Sequence, residues 1–233
     1  NSRLYQGEIW VNKKGVILRK RFSEELEELK ARLIEMSRLA TIAVENSIKS
    51  LTDQNIKLAD KVKEEDEKIN ALELEIENTC MRLIALQQPM AEDLRIIGAC
   101  FKMVTDLERI GDRAEDIAEL SKELAGRPPV KPLIDIPKMS KLAIEMIKDS
   151  VKAFKTRDSS LAWGLGKRDD EVDMLCQQVL RELFSFMIED PKKISDASRL
   201  MFVASYLERI ADHATNMGER VIYMVEGKRV KIN

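Results

Sequence analysis

Residues 105–119 read TDLERIGDRAEDIAE, and residues 205–219 read SYLERIADHATNMGE. After a shift of 100 positions, seven residues of the two stretches are identical, from Leu107 and Leu207 to Glu119 and Glu219. An internal repeat determines the architecture of a chain, because each copy folds into the same unit. This repeat also places carboxylates at matched positions, so the sequence predicts a duplicated fold with similar chemistry in both copies.

The composition indicates long helices rather than sheets. Of 233 residues, 34% are charged and 5% are aromatic, and the chain contains nine glycines and six prolines. The net charge of −2 provides no overall positive field, so nucleic acid is not expected as a partner. One His and three isolated Cys do not form the spacings of a zinc site or a disulfide framework.

The sequence predicts a cytoplasmic protein. It contains no apolar run of the ~20 residues that a membrane span needs, and no secretory signal. Unpaired thiols suit a reducing compartment. Peripheral association with a membrane through partner proteins stays open, as does a homodimer.

A proline-rich segment separates two halves. Four of the six prolines lie in residues 127–137, and proline does not serve a helix interior. On either side, apolar residues recur at three- and four-residue spacing, which predicts three helices in residues 22–126 and three in 138–227. The fifth of these helices is predicted to begin at Asp158 or Ser159 and to reach about Ile188. Residues 228–233 form a tail.

The predicted fold is therefore all-α, with two repeated three-helix bundles and six long antiparallel helices. A shift of 103 places Asp66 on Asp169, so the repeat includes the second helix of each half. Residues 1–21 are predicted as a non-helical extension, either a short hairpin turning at 12–15 or an expression remnant. Ser23 is predicted to cap the first helix.

On a helix, the acids of the doubled motif fall on one stripe opposite an apolar face. The first stripe contains Glu108, Asp112, Glu115, Asp116 and Glu119, and the second contains Glu208, Asp212, Thr215, Asn216 and Glu219. Two interpretations stay open. The stripe is either a solvated face with ion pairs such as Arg109 to Asp112, or a site for hard cations that prefer oxygen ligands. His213 lies away from the stripe and is predicted as a packing residue.

Two three-helix halves, each with a Glu-x-x-x-Asp motif in its third helix, resemble the PhoU family. The phrases that carry the resemblance are Leu107-Glu-Arg-Ile-Gly-Asp-Arg-Ala114 and Tyr206-Leu-Glu-Arg-Ile-Ala-Asp-His-Ala-Thr-Asn216. The ending Val221-Ile-Tyr-Met-Val-Glu-Gly227 is also typical of the family, and the similarity covers about residues 22–227.

The resemblance implies a negative regulator of phosphate uptake and of the phosphate-starvation response. Such a protein would be a non-catalytic adaptor that links the ATPase subunit of the phosphate ABC transporter to a sensor histidine kinase. The resemblance also implies multinuclear metal clusters, with iron as the metal. Oxygen ligands alone would equally suit Mg²⁺, Ca²⁺ or Mn²⁺. The ligands that the resemblance implies are Glu108, Asp112, Asp116, Glu208 and Asp212.

The second copy departs from the pattern at Asn216, where the first has Asp116. An amide carbonyl is a weaker, neutral ligand, so the second cluster is expected to be smaller or weaker than the first. Two other functions stay open: a metal-dependent phosphoester hydrolase that uses the same acids, and a helical interaction module that holds no metal.

Overall fold

The computed structural model describes residues 13–232 and is all-α, as predicted. Helices α1, α2 and α3 form the first half, and α4, α5, α6 and α7 form the second. Their bounds are α1 Lys13–Thr52, α2 Ile56–Gln87, α3 Ala91–Leu124, α4 Asp135–Thr156, α5 Ser159–Trp163, α6 Leu165–Glu189 and α7 Ile194–Glu226, with a 3-10 turn at Pro191–Lys193. Six of these helices are long, and α5 is a single short turn before α6. Between Lys13 and Ile232, no helix is both long and apolar enough to cross a lipid bilayer.

The start of α1 corrects the prediction for residues 1–21. The helix begins at Lys13, so the predicted hairpin and the predicted cap at Ser23 are wrong from residue 13 onward. Good helix formers dominate this stretch, and one glycine, at a cost of about 1 kcal/mol, does not stop a helix of 40 residues. Phe22 and Leu26 are both buried, four residues apart, so packing supports the helix upstream of Ser23. The rest of the predicted extension lies outside the described residues.

The predicted fifth helix is interrupted at Gly164. Asp158 does act as the cap, because its carboxylate accepts a hydrogen bond from the Leu161 amide at 3.1 Å. The interruption lets α5 pack against α7 at Gly218, where an added Cβ would lie 2.6 Å from Leu165 Cδ1 and 3.4 Å from the Ala162 carbonyl. The physical reason for the break is therefore tertiary contact.

The proline-rich connection behaves much as predicted. Gly126 adopts a left-handed backbone with φ of 74°, just after α3. Helix α4 begins at Asp135, so the last three residues of the predicted linker are helical. Pro137 lies in the first turn of α4, where the amide that proline lacks is not needed. At the start of the last helix, Asp190 accepts a hydrogen bond from the Lys192 amide at 3.1 Å, as a cap does.

Helices α3 and α7 lie side by side at the centre. The predicted apolar faces of the doubled motif are fully buried, namely Leu107, Ile110, Ala114, Ile117, Leu207, Ile210, Ala214 and Met217. Burying each large side chain contributes roughly 1.5–3 kcal/mol. The three cysteines are free and buried.

Two contacts where α3 meets α7 reveal a pseudo-two-fold relation. Asp106 Oδ1 lies 3.1 Å from His213 Nδ1, and the Arg113 guanidinium lies 5.4 Å from the centre of the Tyr206 ring. A shift of 100 turns one pair of positions into the other. The two halves therefore meet through equivalent surfaces with different side chains.

Candidate metal centre

The acidic stripe of α3 faces α2, where further acids meet it. Glu108 is half-buried, and its pKa is raised first by burial and then by the negative charges of Asp112 and Glu73. Burial also raises the pKa of Glu73, as do the neighbouring charges of Glu77 and Asp112. The two helices thus crowd carboxylates into a first acidic cluster, defined as Asp66, Glu73, Glu108 and Asp112.

Asp66 is the most buried member of the first acidic cluster. Its side chain accepts a hydrogen bond from Asn70 at 2.9 Å through Oδ2, while buried Oδ1 has no hydrogen-bond partner. Burial raises its pKa to about 6, with the charges of Glu115 and Asp112 as further causes. Oδ1 lies so close to α3 that a Cβ on Gly111 would be 2.6 Å from it. Glycine at this position therefore admits the carboxylate between the helices.

Arginine offsets part of the charge, as the solvated-face interpretation predicted. Arg109 lies 3.0 Å from Asp112 and 3.3 Å from Glu108 Oε2. The second contact is an ion pair without hydrogen-bond geometry, so buried Glu108 Oε2 accepts no hydrogen bond. Arg109 is 51% exposed, and exposed ion pairs contribute about 0–1 kcal/mol. The pairing leaves most of the repulsion within the cluster in place.

Asp116 and Asn216 occupy matched positions one turn after Asp112 and Asp212 on α3 and α7. Asp116 pairs with Arg113 at 2.5 Å, and the charge of Arg209 on α7 also acts on it. Burial, the largest cause, still raises its pKa. Asn216 is half-buried at the matched position of α7. Asp116 therefore feels the negative charge of Asp112 on its own helix as well as the positive charges of Arg113 and Arg209.

A second acidic cluster lies between α6 and α7 and is defined as Asp173, Glu208 and Asp212. Burial raises the pKa of Asp173, and the charges of Glu208 and Asp212 raise it further. The pKa of Asp212 is raised by burial and then by Glu208. The Cys176 thiol donates a hydrogen bond to Glu208 at 3.0 Å, and burial raises its pKa to about 12. The thiol is therefore protonated at neutral pH.

The doubled motif did not reveal the acids of α2 and α6. The shift of 103 pointed to Asp66 and Asp169 but not to the others, because it aligns Asn70 with Asp173 and Glu73 with Cys176. Asp66 and Asp169 are both buried, which is unusual for aspartate outside a site or an ion-pair network. The available signal was a four-residue spacing that recurs on both helices, Asp66 to Asn70 on α2 and Asp169 to Asp173 on α6.

The donors of the clusters fit a hard cation. All are carboxylate oxygens, two of the buried ones accept no hydrogen bond, and mutual repulsion favours a positive charge among them. In residues 13–232, no three His, Cys, Asp or Glu side chains are already grouped as they would be around a single ion. A cation would therefore have to draw the carboxylates together.

Comparison with known proteins agrees with the duplicated fold. The family model described as "PhoU domain" matches the chain twice, at residues 33–121 and 136–221. A phosphate-specific transport system accessory protein PhoU homolog of Aquifex aeolicus is 47% identical over 89% of this chain and 94% of its own length. The homolog of Clostridium acetobutylicum is 41% identical over 92% and 99%.

Two crystal structures share the fold. PhoU from Pseudomonas aeruginosa has a TM-score of 0.86 and 36% identity, and the match covers 89% of this chain and all of that one. The phosphate transport system regulatory protein PhoU from Streptococcus pneumoniae has a TM-score of 0.84 and 27% identity, with 90% and 99% covered.

Proposed function

The chain belongs to the PhoU family, and on that premise we propose that it is a non-catalytic, metal-binding adaptor of a phosphate transport system. It would act in the cytoplasm and link the ATPase subunit of the phosphate ABC transporter to a sensor histidine kinase. Through that link it would restrain phosphate uptake and the phosphate-starvation response. The names of its relatives support the proposal, since they describe an accessory and a regulatory protein of phosphate transport.

The observation that carries the metal proposal is the pair of acidic clusters at equivalent places in both halves. Asp66, Glu73, Glu108 and Asp112 would hold metal in the first, and Asp173, Glu208 and Asp212 in the second. Asp116 and Asn216 stay predicted ligands at the side facing the other half. Bound cations such as iron, Mn²⁺, Mg²⁺ or Ca²⁺ would neutralise the clusters. They would join α2 to α3 in the first half and α6 to α7 in the second.

A non-catalytic role fits the reactive side chains. The buried thiols of Cys80 and Cys176 have pKa values raised to about 12, so neither is an activated nucleophile. The relatives are named as accessory proteins rather than enzymes. A hydrolase would instead show turnover of phosphate esters that is lost with Asp212.

The metal proposal is tested by elemental analysis of the purified protein and of matched variants. We expect Glu108→Ala/Asp112→Ala and Glu208→Ala/Asp212→Ala each to lose the metal of one cluster. The control is Glu24→Ala/Glu28→Ala, which removes two exposed acids at the same four-residue spacing on α1. Unchanged metal content in both cluster variants would refute the assignment of these acids as metal ligands.

The adaptor proposal is tested by capture from phosphate-replete cells. We expect the transporter ATPase and the kinase to co-purify with the chain. Capture of neither would count against the adaptor. Because no three donors are already grouped, a metal-free interaction module is the second candidate. Equal capture by metal-loaded and EDTA-treated protein would favour it.

A further inference from the structure

A groove of about 670 Å³ runs between the end of α2, the start of α3 and the end of α7. Its floor is apolar, with Met81, Leu94 and Tyr223 among its residues. Met81 is 59% exposed and Leu94 is 45% exposed. Four cationic side chains line the same groove, namely Arg95, Lys102, Arg220 and Arg229, against one acid, Glu219. None of the residues that line the groove belongs to either acidic cluster.

The four cations are not neutralised by carboxylates. Within residues 13–232, none of them has an ion pair at 4.0 Å or less. Arg95 donates to the Met224 carbonyl at 3.1 Å, and Arg229 lies 5.9 Å from the centre of the Tyr223 ring. The Nε of Arg220 is buried and has no hydrogen-bond partner. A buried cationic donor without a partner is costly unless an anion approaches it.

The nearby acid does not supply that anion by itself. Glu219 accepts a hydrogen bond from the Ile232 amide at 3.0 Å, which holds it to the chain after α7. One carboxylate also cannot balance four cations. The groove therefore keeps a net positive charge beside exposed apolar surface, in a chain whose total charge is −2.

The other half shows that the fold does not require these charges. A shift of 100 places Ser195 on Arg95, Phe202 on Lys102 and Leu120 on Arg220. The equivalent face is apolar, with Phe202 exposed by 56% and Ile194 by 48%. Its arginine, Arg199, pairs with Glu123 at 2.5 Å. One scaffold thus forms this face with and without cations at the positions of Arg95, Lys102 and Arg220.

We infer that the groove docks an acidic amphipathic helix of a partner protein. Carboxylates of that helix would meet Arg95, Lys102 and Arg229, and its apolar side chains would cover Met81 and Leu94. A nucleic acid backbone is polar and would not cover the exposed apolar side chains of the groove. A concave groove also fits a protruding helix better than it fits a flat bilayer. Residues 1–12 carry one acid and one base, so they do not supply the complementary charge. The inference depends on the proposed adaptor role in one respect only, which is that an adaptor binds a partner protein.

The test uses the full chain and a fluorescent helical peptide of about 18 residues, with about six Glu on one face and Leu on the other. Binding is followed by fluorescence anisotropy. We expect Arg95→Glu/Lys102→Glu to weaken binding at least about tenfold, and added salt to weaken it in the wild type. The matched control is Lys152→Glu/Lys155→Glu, which changes two exposed lysines of α4 by the same charge. Leu94→Ser should weaken binding several-fold without changing the charge.

Three outcomes would overturn the inference. The first is equal peptide binding by Arg95→Glu/Lys102→Glu and the wild type. The second is equal weakening by both charge reversals, which would indicate non-specific attraction. The third is that the groove charges govern binding to phosphatidylglycerol vesicles and not to the peptide, which would assign the groove to a membrane. Circular dichroism of each variant checks that it folds.

Capture from cells separates this inference from the proposed function. If the wild type captures neither transporter ATPase nor kinase, the adaptor proposal fails. The peptide-binding measurement then still tests whether the groove docks an acidic helix. If the wild type captures one of them and Arg95→Glu/Lys102→Glu captures it equally, the adaptor proposal stands. In that case the groove is not the docking site, and the inference fails.

Discussion

The two halves of the molecule share a core and differ in the chemistry around it. Buried positions repeat closely, as Leu107 and Leu207 show. The acids that α3 and α7 give to the clusters also repeat, but two positions on α2 and α6 differ: Asn70 corresponds to Asp173, and Glu73 corresponds to Cys176. Dense packing limits substitution in the core, because adding or removing a single methylene there changes stability. A partly open cluster tolerates the exchange of one polar side chain for another.

The same difference holds where the halves meet. One crossing contact between α3 and α7 joins Asp106 to His213, and its equivalent joins Tyr206 to Arg113. A hydrogen bond and a cation–π contact thus occupy equivalent places. The duplication preserved the geometry of the interface and left its chemistry free to diverge, which makes each half a natural control for the other.

The largest expected effect tests whether the cores are equivalent. Leu107→Ala and Leu207→Ala each remove a fully buried side chain, so each should cost about 2–5 kcal/mol of unfolding free energy. We expect the two losses to agree within about 1 kcal/mol, as urea denaturation would measure. Exposed Lys152→Ala serves as the control. A loss confined to one variant would mean that one half dominates stability.

Metal affinity tests how far the clusters have diverged. The first should bind Mn²⁺ about tenfold more tightly than the second, because it has Glu73 where the second has the protonated thiol of Cys176. Glu208→Ala/Asp212→Ala isolates the first cluster, and Glu108→Ala/Asp112→Ala isolates the second. Calorimetric titration of each variant gives the two constants. Equal constants would contradict the predicted asymmetry.

The raised pKa of Asp66 predicts a pH dependence in EDTA-treated protein. Its folded pKa of about 6 exceeds the ordinary value of 3.8, so the folded state binds the proton more tightly than the unfolded state. Asp66 therefore destabilises the fold above pH 6, and this penalty disappears as the pH falls from about 6 towards 4. The gain from pH 7 to pH 5 should be about 1 kcal/mol. Asp66→Asn should remove that gain from denaturation curves, whereas a variant at exposed Asp53 should keep it.

The smallest expected effect concerns the one-residue difference between Gly111 and Ala211. Alanine favours a helix by about 1 kcal/mol over glycine, so Ala211→Gly should cost about that much. Gly111→Ala should not gain the same free energy, because the new Cβ would lie 2.6 Å from Asp66 Oδ1 and 3.1 Å from Ile69 Cδ1. In an Asp66→Ala background the benefit should reappear. A double-mutant cycle without coupling between positions 66 and 111 would refute the close contact.

Much of the fold could be predicted from local signals. Apolar spacing of three and four residues located the long helices, and the prolines located the connection between the halves. Two features escaped. The start of α1 at Lys13 was missed, because Ser23 and the Asn12–Gly15 turn pattern indicated a later start. The break at Gly164 depends on packing against Gly218, which lies 54 positions away and leaves no local pattern.

The sequence by itself determined the duplication, the buried faces of α3 and α7, and the acids opposite those faces, because helical periodicity converts spacing into direction. Only the tertiary structure decided which helix each acid faces. It brought Asp66 and Glu73 to Glu108, and it placed Asp116 where the charge of Arg209 on α7 acts on it. The physical reason is that the rotation of one helix against another is set by how their buried side chains pack, and that packing joins residues far apart in the chain.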